Sequence, residues 1–236
     1  MIPGTKNEFT AGSEIGSFTV VANAGRGAYG EVLIVRDISG REYAMKIIQA
    51  MEDELSALRA IAEIKNADGL VPVHAAGKVP DGSGRLYYLM DAADNLAAAP
   101  NYLPDTLANR IARNGRFSAA DVLAVAERLL TGLKKLHDNH LSHRDIKPDN
   151  IMFTRNGTVK LADLGIAKKD DEDDNLTKTN VMMGTPAYLS PEQVENPKTV
   201  DIRSDIYSLG ATFYEMLTGQ PPYPGKTSFD IIRKMF

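Results

Sequence analysis

The sequence predicts an α+β chain in two unequal parts, a small antiparallel sheet carrying one helix and then a mainly helical region. Three observations predict it. Strand-like runs separated by glycine-rich turns fill residues 17–50, a Pro- and Ala-containing stretch of weak periodicity occupies 91–104, and two strong amphipathic helix patterns lie beyond it. With 236 residues, 43% of them hydrophobic and 25% charged, the chain can build a core without disulfides or a structural metal.

Phe18-Thr19-Val20-Val21, Val32-Leu33-Ile34-Val35 and Tyr43-Ala44-Met45-Lys46-Ile47-Ile48 alternate with turns and form the meander. Leu55, Leu58, Ile61 and Ala62 then recur at three- and four-residue spacing, which predicts one amphipathic helix. Val71 to Val73 and Leu86 to Met90, on either side of the turn Pro80-Asp81-Gly82-Ser83-Gly84, read as the last two of five strands. In the second part Ser118 and Asp121 have the spacing of a capping box, and Val122, Val125, Leu129, Leu133 and Leu136 form one apolar stripe. Asp205 to Thr218 is expected to bury Ile206, Leu209, Phe213, Met216 and Leu217 and to stop at Gly219 and Pro221-Pro222.

Composition narrows the function classes. The formal charge of −4 and isoelectric point near 5.6, with no Lys/Arg cluster among aromatics, argue against nucleic acid or an anionic membrane surface as partner. No stretch approaches the roughly 18 apolar residues of a membrane span, and cysteine is absent, which suits a reducing compartment. A cytoplasmic location is expected. The acidic run Asp170-Asp171-Glu172-Asp173-Asp174 reads as a solvated loop.

The chemistry concentrates in His143-Arg144-Asp145-Ile146-Lys147-Pro148-Asp149-Asn150, followed thirteen residues after Asn150 by Asp163-Leu164-Gly165. A proton acceptor, a phosphate-directed cation and two hard oxygen ligands suit phosphoryl transfer, which needs charge neutralisation and alignment more than covalent help. Asp145 is the expected base or orienting group, Lys147 neutralises the transferring phosphoryl, and Asn150 and Asp163 hold magnesium. His143 is expected to be packed and hydrogen-bonded; His74, His137 and His140 show no partner in the sequence.

Gly25-Arg26-Gly27-Ala28-Tyr29-Gly30-Glu31-Val32 is a G-x-G-x-x-G-x-V run whose backbone can approach phosphate oxygens. A dinucleotide fold would open a helix here, whereas this run continues as a strand and therefore lies in a hairpin. Lys46, on the next strand, sits where its ammonium would point under that loop. Such a lysine needs a carboxylate. Glu54 is preferred, with Glu63 and the more remote Glu52 as alternatives.

Together these motifs make the chain, from about Phe18 onward, resemble the eukaryotic-like Ser/Thr protein kinases of bacteria. The resemblance implies a bilobal fold in one domain over 1–236, with an upper lobe over 1–90, a hinge over 91–104 and a lower lobe over 105–236 that lacks its last helices. It implies an enzyme that uses ATP and magnesium to phosphorylate Ser/Thr of proteins. Gly25 to Gly30 would cover the ATP phosphates and Lys46 would contact the first two. Val32, Ala44, Met90 as gatekeeper, and Asp91 and Ala93 through their backbones would surround adenine. The family's regulatory hydrophobic column takes a residue four positions after the helix glutamate. Leu58, able to stack on Leu164 and His143, favours Glu54 over Glu63, which would put Ala67 there.

The resemblance further implies an activation segment from Asp163 to Glu192. It ends Gly184-Thr185-Pro186-Ala187-Tyr188-Leu189-Ser190-Pro191-Glu192, where Thr185 together with Lys147 indicates Ser/Thr specificity. Thr177 and Thr179 are candidate phosphosites for Arg144 to pair with, and Asp205 would brace the catalytic loop. Two departures stand out: Leu164 replaces the usual Phe, and Glu192 lacks its usual arginine. An apolar face at Phe229, Ile232, Met235 and Phe236 is expected to be unstable, or to be covered by a second copy or by further chain. The rival readings are a catalytically silent nucleotide-binding scaffold and a small-molecule kinase such as an antibiotic phosphotransferase; the intact Lys46, Asp145, Asn150 and Asp163 oppose the first and the 184–192 segment opposes the second.

Overall fold

The computed structural model describes residues 9–27, 30–49, 62–64, 68–98, 101–154, 157–163, 168–169, 186–196 and 200–236. The upper part is one antiparallel sheet of β1 (Glu14–Ile15), β2 (Phe18–Gly27), β3 (Gly30–Arg36), β4 (Glu42–Ile48), β5 (Val73–Lys78) and β6 (Leu86–Met90), in the order β1-β2-β3-β4-β6-β5. Its two faces bury different sets. Val20, Leu33, Val35, Met45, Ile47 and Leu89 pack on one side, and Ile34, Ala44, Tyr88 and Met90 on the other, as two-residue periodicity requires.

The sheet has six strands among the described residues rather than five, because the short β1 pairs with the start of β2. The strand expected at Val71–Val73 is displaced to Val73–Lys78. Pro72 has no N–H to donate to a ladder, and the apolar residues before it are used below the sheet. Leu70 bridges Leu161, Val71 N–H donates to the Leu161 carbonyl at 2.9 Å, and Leu161 N–H donates to Gly69 at 2.8 Å. Of the helix expected between the third and fourth predicted strands, Ala62 is helical and Glu63 lies in the following turn; Leu55, Leu58 and Ile61 lie outside the described residues.

The lower part contains α1 (Leu107–Asn114), α2 (Ala119–Asp138), α3 (Pro191–Glu195), α4 (Ile202–Thr218) and α5 (Ser228–Met235). Between α2 and α3 run β7 (Leu141–Ser142), β8 (Ile151–Phe153), β9 (Val159–Leu161) and β10 (Lys168–Lys169), which pair as β7 with β10 and β8 with β9. The capping box of α2 is present, with Asp121 N–H donating to Ser118 Oγ and Ser118 N–H to Asp121 Oδ2. All five residues of its apolar stripe are buried, each contributing about 1.5–3 kcal/mol by area. Gly69, with φ of +82°, lies against this helix so closely that a Cβ on it would be 2.3 Å from the Arg128 carbonyl, and Gly132 faces it across the contact.

α4 departs from the pattern expected for it. Leu209 and Met216 are buried, but Ile206 is 52% exposed and Leu217 45%, while Ser204, Asp205, Ser208 and Thr212 are buried instead. On this face Asp205 accepts backbone N–H groups of His143 and Arg144, and Ser204 donates to Glu192. Ser208 and Thr212 satisfy their hydroxyls on the helix itself, donating to the Ser204 and Ser208 carbonyls at 3.0 and 2.9 Å. In α5, Ile231 packs on Ala187, Tyr188 and Ala211; of the four residues expected on an uncovered face, Phe229 and Phe236 are exposed and Ile232 and Met235 are half-buried.

Candidate active site

The chain reaches the site at the end of α2, passing through β7 into a loop that Asp205 holds. Asp205 is fully buried; its Oδ2 accepts the His143 N–H at 2.8 Å and its Oδ1 the Arg144 N–H at 2.8 Å. His137 Nε2 is also 2.8 Å from Oδ2, so this histidine has a partner that the sequence did not reveal. Arg144 adopts φ of +66°, a conformation that costs a non-glycine residue energy and is kept here by these bonds. His143, fully buried, accepts the Asp145 N–H on Nδ1 at 3.3 Å and donates from Nε2 to the Ala162 carbonyl at 3.0 Å. That pair of contacts fixes the orientation of the ring.

Asp145 is thereby aimed into the cleft. Lys147 Nζ donates to both its oxygens, at 2.8 and 2.7 Å, and Asn150 Nδ2 donates to its Oδ2 and to its backbone carbonyl, both at 2.8 Å. Asn150 sits in a single 3₁₀ turn, Pro148–Asn150, that leads into β8. Because its amide nitrogen is committed to Asp145, its Oδ1 faces the other way.

Asp163 follows β9 and has φ of +67°. Its Oδ1 accepts from Lys46 Nζ and from the Tyr88 hydroxyl, the latter at 2.9 Å. Burial works against ionisation of this carboxyl, but the Lys46 charge and hydrogen bond, with the Tyr88 bond, outweigh it and hold the group below the usual carboxylate range. Lys46 is thus engaged with Asp163. Glu54 lies outside the described residues, and Glu63 is exposed. The donor set fits a hard divalent cation: a carboxylate and an amide oxygen, with no cluster of three or more His, Asp or Glu among the described residues to form a complete protein cage.

The glycine hairpin adjoins Lys46, which pairs with Val32 across β3 and β4. Gly25 pairs with Val32, Arg26 with Glu31 and Gly27 with Gly30, while Ala28 and Tyr29 lie outside the described residues. Gly30 is required sterically, since it has φ of +133° and a Cβ there would be 2.0 Å from the Ile47 carbonyl. Glu31, buried, accepts from Asn23 Nδ2 at 2.7 Å and lies 3.9 Å from Arg26, bracing the two strands. Ala44, Met90, Ala93, Met152 and Ala162 form one apolar cluster, with Val32 and Tyr102 packed against it, between the sheet and the β8–β9 hairpin. The Tyr102 hydroxyl donates to the Ala93 carbonyl. An apolar slot beside two carboxylates and two lysines can take a flat base at one end and phosphates at the other.

The Asp91 side chain makes contacts that local sequence could not disclose. Its Oδ1 is 2.8 Å from His74 Nε2 and its Oδ2 3.3 Å from Lys160 of β9, so it ties the sheet to the lower part. The far end of the expected activation segment is also anchored. Ser190 caps α3 through Gln193, whose Nε2 donates to the Arg144 carbonyl at 2.9 Å, and Glu192 accepts from Ser204 Oγ at 2.7 Å. Leu164, Thr177, Thr179, Gly184 and Thr185 lie outside the described residues.

A family model described as the protein kinase domain matches residues 18–236. The chain belongs to that family. Among curated relatives it is 37% identical over 223 residues to the probable serine/threonine-protein kinase PknB of Bifidobacterium longum, covering 88% of this chain and 31% of the relative. It is 35% identical to PknB of Mycolicibacterium smegmatis, over 85% of this chain and 32% of that one, and 34% identical to PknB of Mycobacterium tuberculosis, over 88% and 33%. This kinase domain therefore spans about a third of the length of the curated relatives it matches. Membership of the protein kinase family and the bilobal fold are as the motifs implied, and no described helix is long and apolar enough to cross a membrane.

Proposed function

We propose that this domain transfers the γ-phosphoryl group of ATP to Ser and Thr hydroxyls of protein substrates, with magnesium as the metal. The observation that carries the reading is the bonding of Asp145: one buried-side carboxylate gripped by Lys147 and by Asn150, with Asp163 and Lys46 joined nearby. In this reading the adenine lies among Val32, Ala44, Met90 and Ala93, with the Asp91 and Ala93 backbones as its polar partners. The hairpin amides of 25–30 and Lys46 meet the phosphates, and Glu54 takes over Lys46 when nucleotide is bound. Asn150 Oδ1 and Asp163 hold the magnesium, which supplies neutralisation of phosphate charge.

Asp145 orients the substrate hydroxyl and takes up its proton as that oxygen bonds to the γ-phosphorus and the bond from phosphorus to the β–γ bridging oxygen breaks, releasing ADP, while Lys147 shifts from the carboxylate toward the transferring group. The 186–196 segment, tied to the catalytic loop through Gln193, suits docking of a peptide rather than a small metabolite. All four of Lys46, Asp145, Asn150 and Asp163 are mutually bonded in two pairs, which favours catalysis over a silent scaffold. Autophosphorylation falls on Thr177 or Thr179, for Arg144 to engage. A chain without cysteine that consumes ATP suits the cytoplasm.

Incubation with ATP and magnesium, alone and with a basic protein substrate, followed by mass-spectrometric phosphosite mapping, tests this. Phosphothreonine or phosphoserine is expected with the wild type and none with Asp145→Ala. Equal labelling of the two would remove Asp145 from its role.

A further inference from the structure

Tyr88 is a residue for which the reaction scheme above has no use, yet it is 1% exposed and its hydroxyl reaches the expected metal ligand. It sits on β6 directly opposite Lys46 of β4. Residues paired across antiparallel strands project to the same face, so the phenol and the ammonium enter the cleft side by side. Both donate to the same atom, Oδ1 of Asp163. Oδ2 of that carboxylate accepts from no other described residue. A carboxylate on a single flexible bond can present either oxygen or neither; one held through Oδ1 by two donors from a β-sheet has its rotation about χ2 fixed.

We propose that Tyr88 is a positioning residue for the divalent cation, its hydroxyl holding Oδ1 of Asp163 so that Oδ2 is presented to the metal. The inference rests on the assignment of Asp163 as a metal ligand. Lys46 alone cannot do this work throughout the reaction, because the same ammonium is wanted by the nucleotide phosphates. The Tyr88 phenol is neutral, so the phosphates do not draw it away as they draw an ammonium. When Lys46 turns to phosphate, the phenol still occupies Oδ1, and the carboxylate keeps its orientation. The ring itself is packed against Ala44, Met90 and Ala162 on the sheet's cleft-facing side, which fixes the donor in turn.

The test is a calorimetric titration of ADP into the domain at a series of magnesium concentrations, which reads metal-linked affinity without turnover. Tyr88→Phe keeps the ring and removes the donor; Tyr88→Met keeps apolar volume and guards against a defect peculiar to Phe. Both are expected to bind ADP without metal as the wild type does, and to need about tenfold more magnesium to reach the tight-binding state, the loss expected for one hydrogen bond to a charged group. Tyr87→Phe, on the opposite face of β6, should leave the titration unchanged. If the wild type shows magnesium-linked binding and both Tyr88 variants match it, the positioning role is overturned and the kinase reading stands. If magnesium has no effect on the wild type, the metal assignment fails and the proposal with it. A variant that loses metal-free binding to the same degree as metal-linked binding also overturns it, since that pattern marks general damage to the pocket.

Discussion

The buried carboxylate of Asp205 accepts the backbone N–H of Arg144 at 2.8 Å, and this bond keeps a non-glycine residue at φ of +66° one position before the expected catalytic base. With the matching bond to His143, the central helix sets the backbone path on which Asp145 is carried. Replacing Asp205 by Asn exchanges one acceptor for a donor facing a backbone N–H. Asp205→Asn should therefore cost about 1–3 kcal/mol, the penalty of an unsatisfied buried polar group, seen as a melting temperature lower by roughly 3–10 °C. Phosphoryl transfer should fall as well, although the residue touches no reactant.

Lys147 bonds both oxygens of Asp145, and Asn150 bonds one of them. Lys147→Ala leaves the carboxylate oriented by Asn150 but removes the cation from the transferring phosphoryl. The expected result is a fall in kcat of about 10²–10³, as for loss of one electrostatic donor. KM for ATP should change little. Steady-state kinetics that showed the reverse, an intact kcat and a raised KM, would assign the lysine to ground-state binding.

Two helix glycines should answer the same substitution with opposite signs. Gly132 lies in α2 against the chain at Gly69, where an added Cβ would be 2.6 Å from the Gly69 carbonyl, whereas Gly210 in α4 is exposed with nothing within 4 Å. Gly132→Ala should destabilise by about 1–3 kcal/mol through overpacking. Gly210→Ala should stabilise by about 0.5–1 kcal/mol through helix propensity and a less flexible unfolded chain. Chemical denaturation of the two variants reads both values.

Asp91 predicts an acid-side dependence. Burial opposes its ionisation, but the bond from His74 and the charge of Lys160 prevail and its carboxyl lies below the ordinary range. A carboxyl depressed by folding stabilises the native state above its unfolded value, near 4, and that contribution is lost as pH falls through the depressed folded value. The stability difference between the wild type and Asp91→Asn should thus shrink as pH falls below about 4. Thermal melts over a series of pH values check it.

What the sequence disclosed depended on whether the signal was local. The stripe from Val122 to Leu136 and the Ser118 cap follow helical spacing, and the structure repeats them residue for residue. The bond between Asp145 and Asn150 joins residues five apart, within one loop. By contrast the contacts of Tyr88 with Asp163, His74 with Asp91 and His137 with Asp205 join residues 75, 17 and 68 positions apart, and no periodicity records them. The misassigned face of α4 has a related cause. Hydrophobic pattern alone cannot show that small hydroxyl residues, able to bond their own helix, fill a buried face, as Ser208 and Thr212 do.

The short stretch around Pro72 has a mechanical result. Residues 69–71 are sewn to Leu161 below, while 73–78 belong to the sheet above, and the 91–95 crossing, latched by Asp91 to Lys160, makes a second attachment. With the bonds of Lys46 and Tyr88 to Asp163, the sheet is tied to the lower part at three separate places among the described residues. The height of the sheet over Asp163 is thus set by side-chain bonds as well as by the chain crossings.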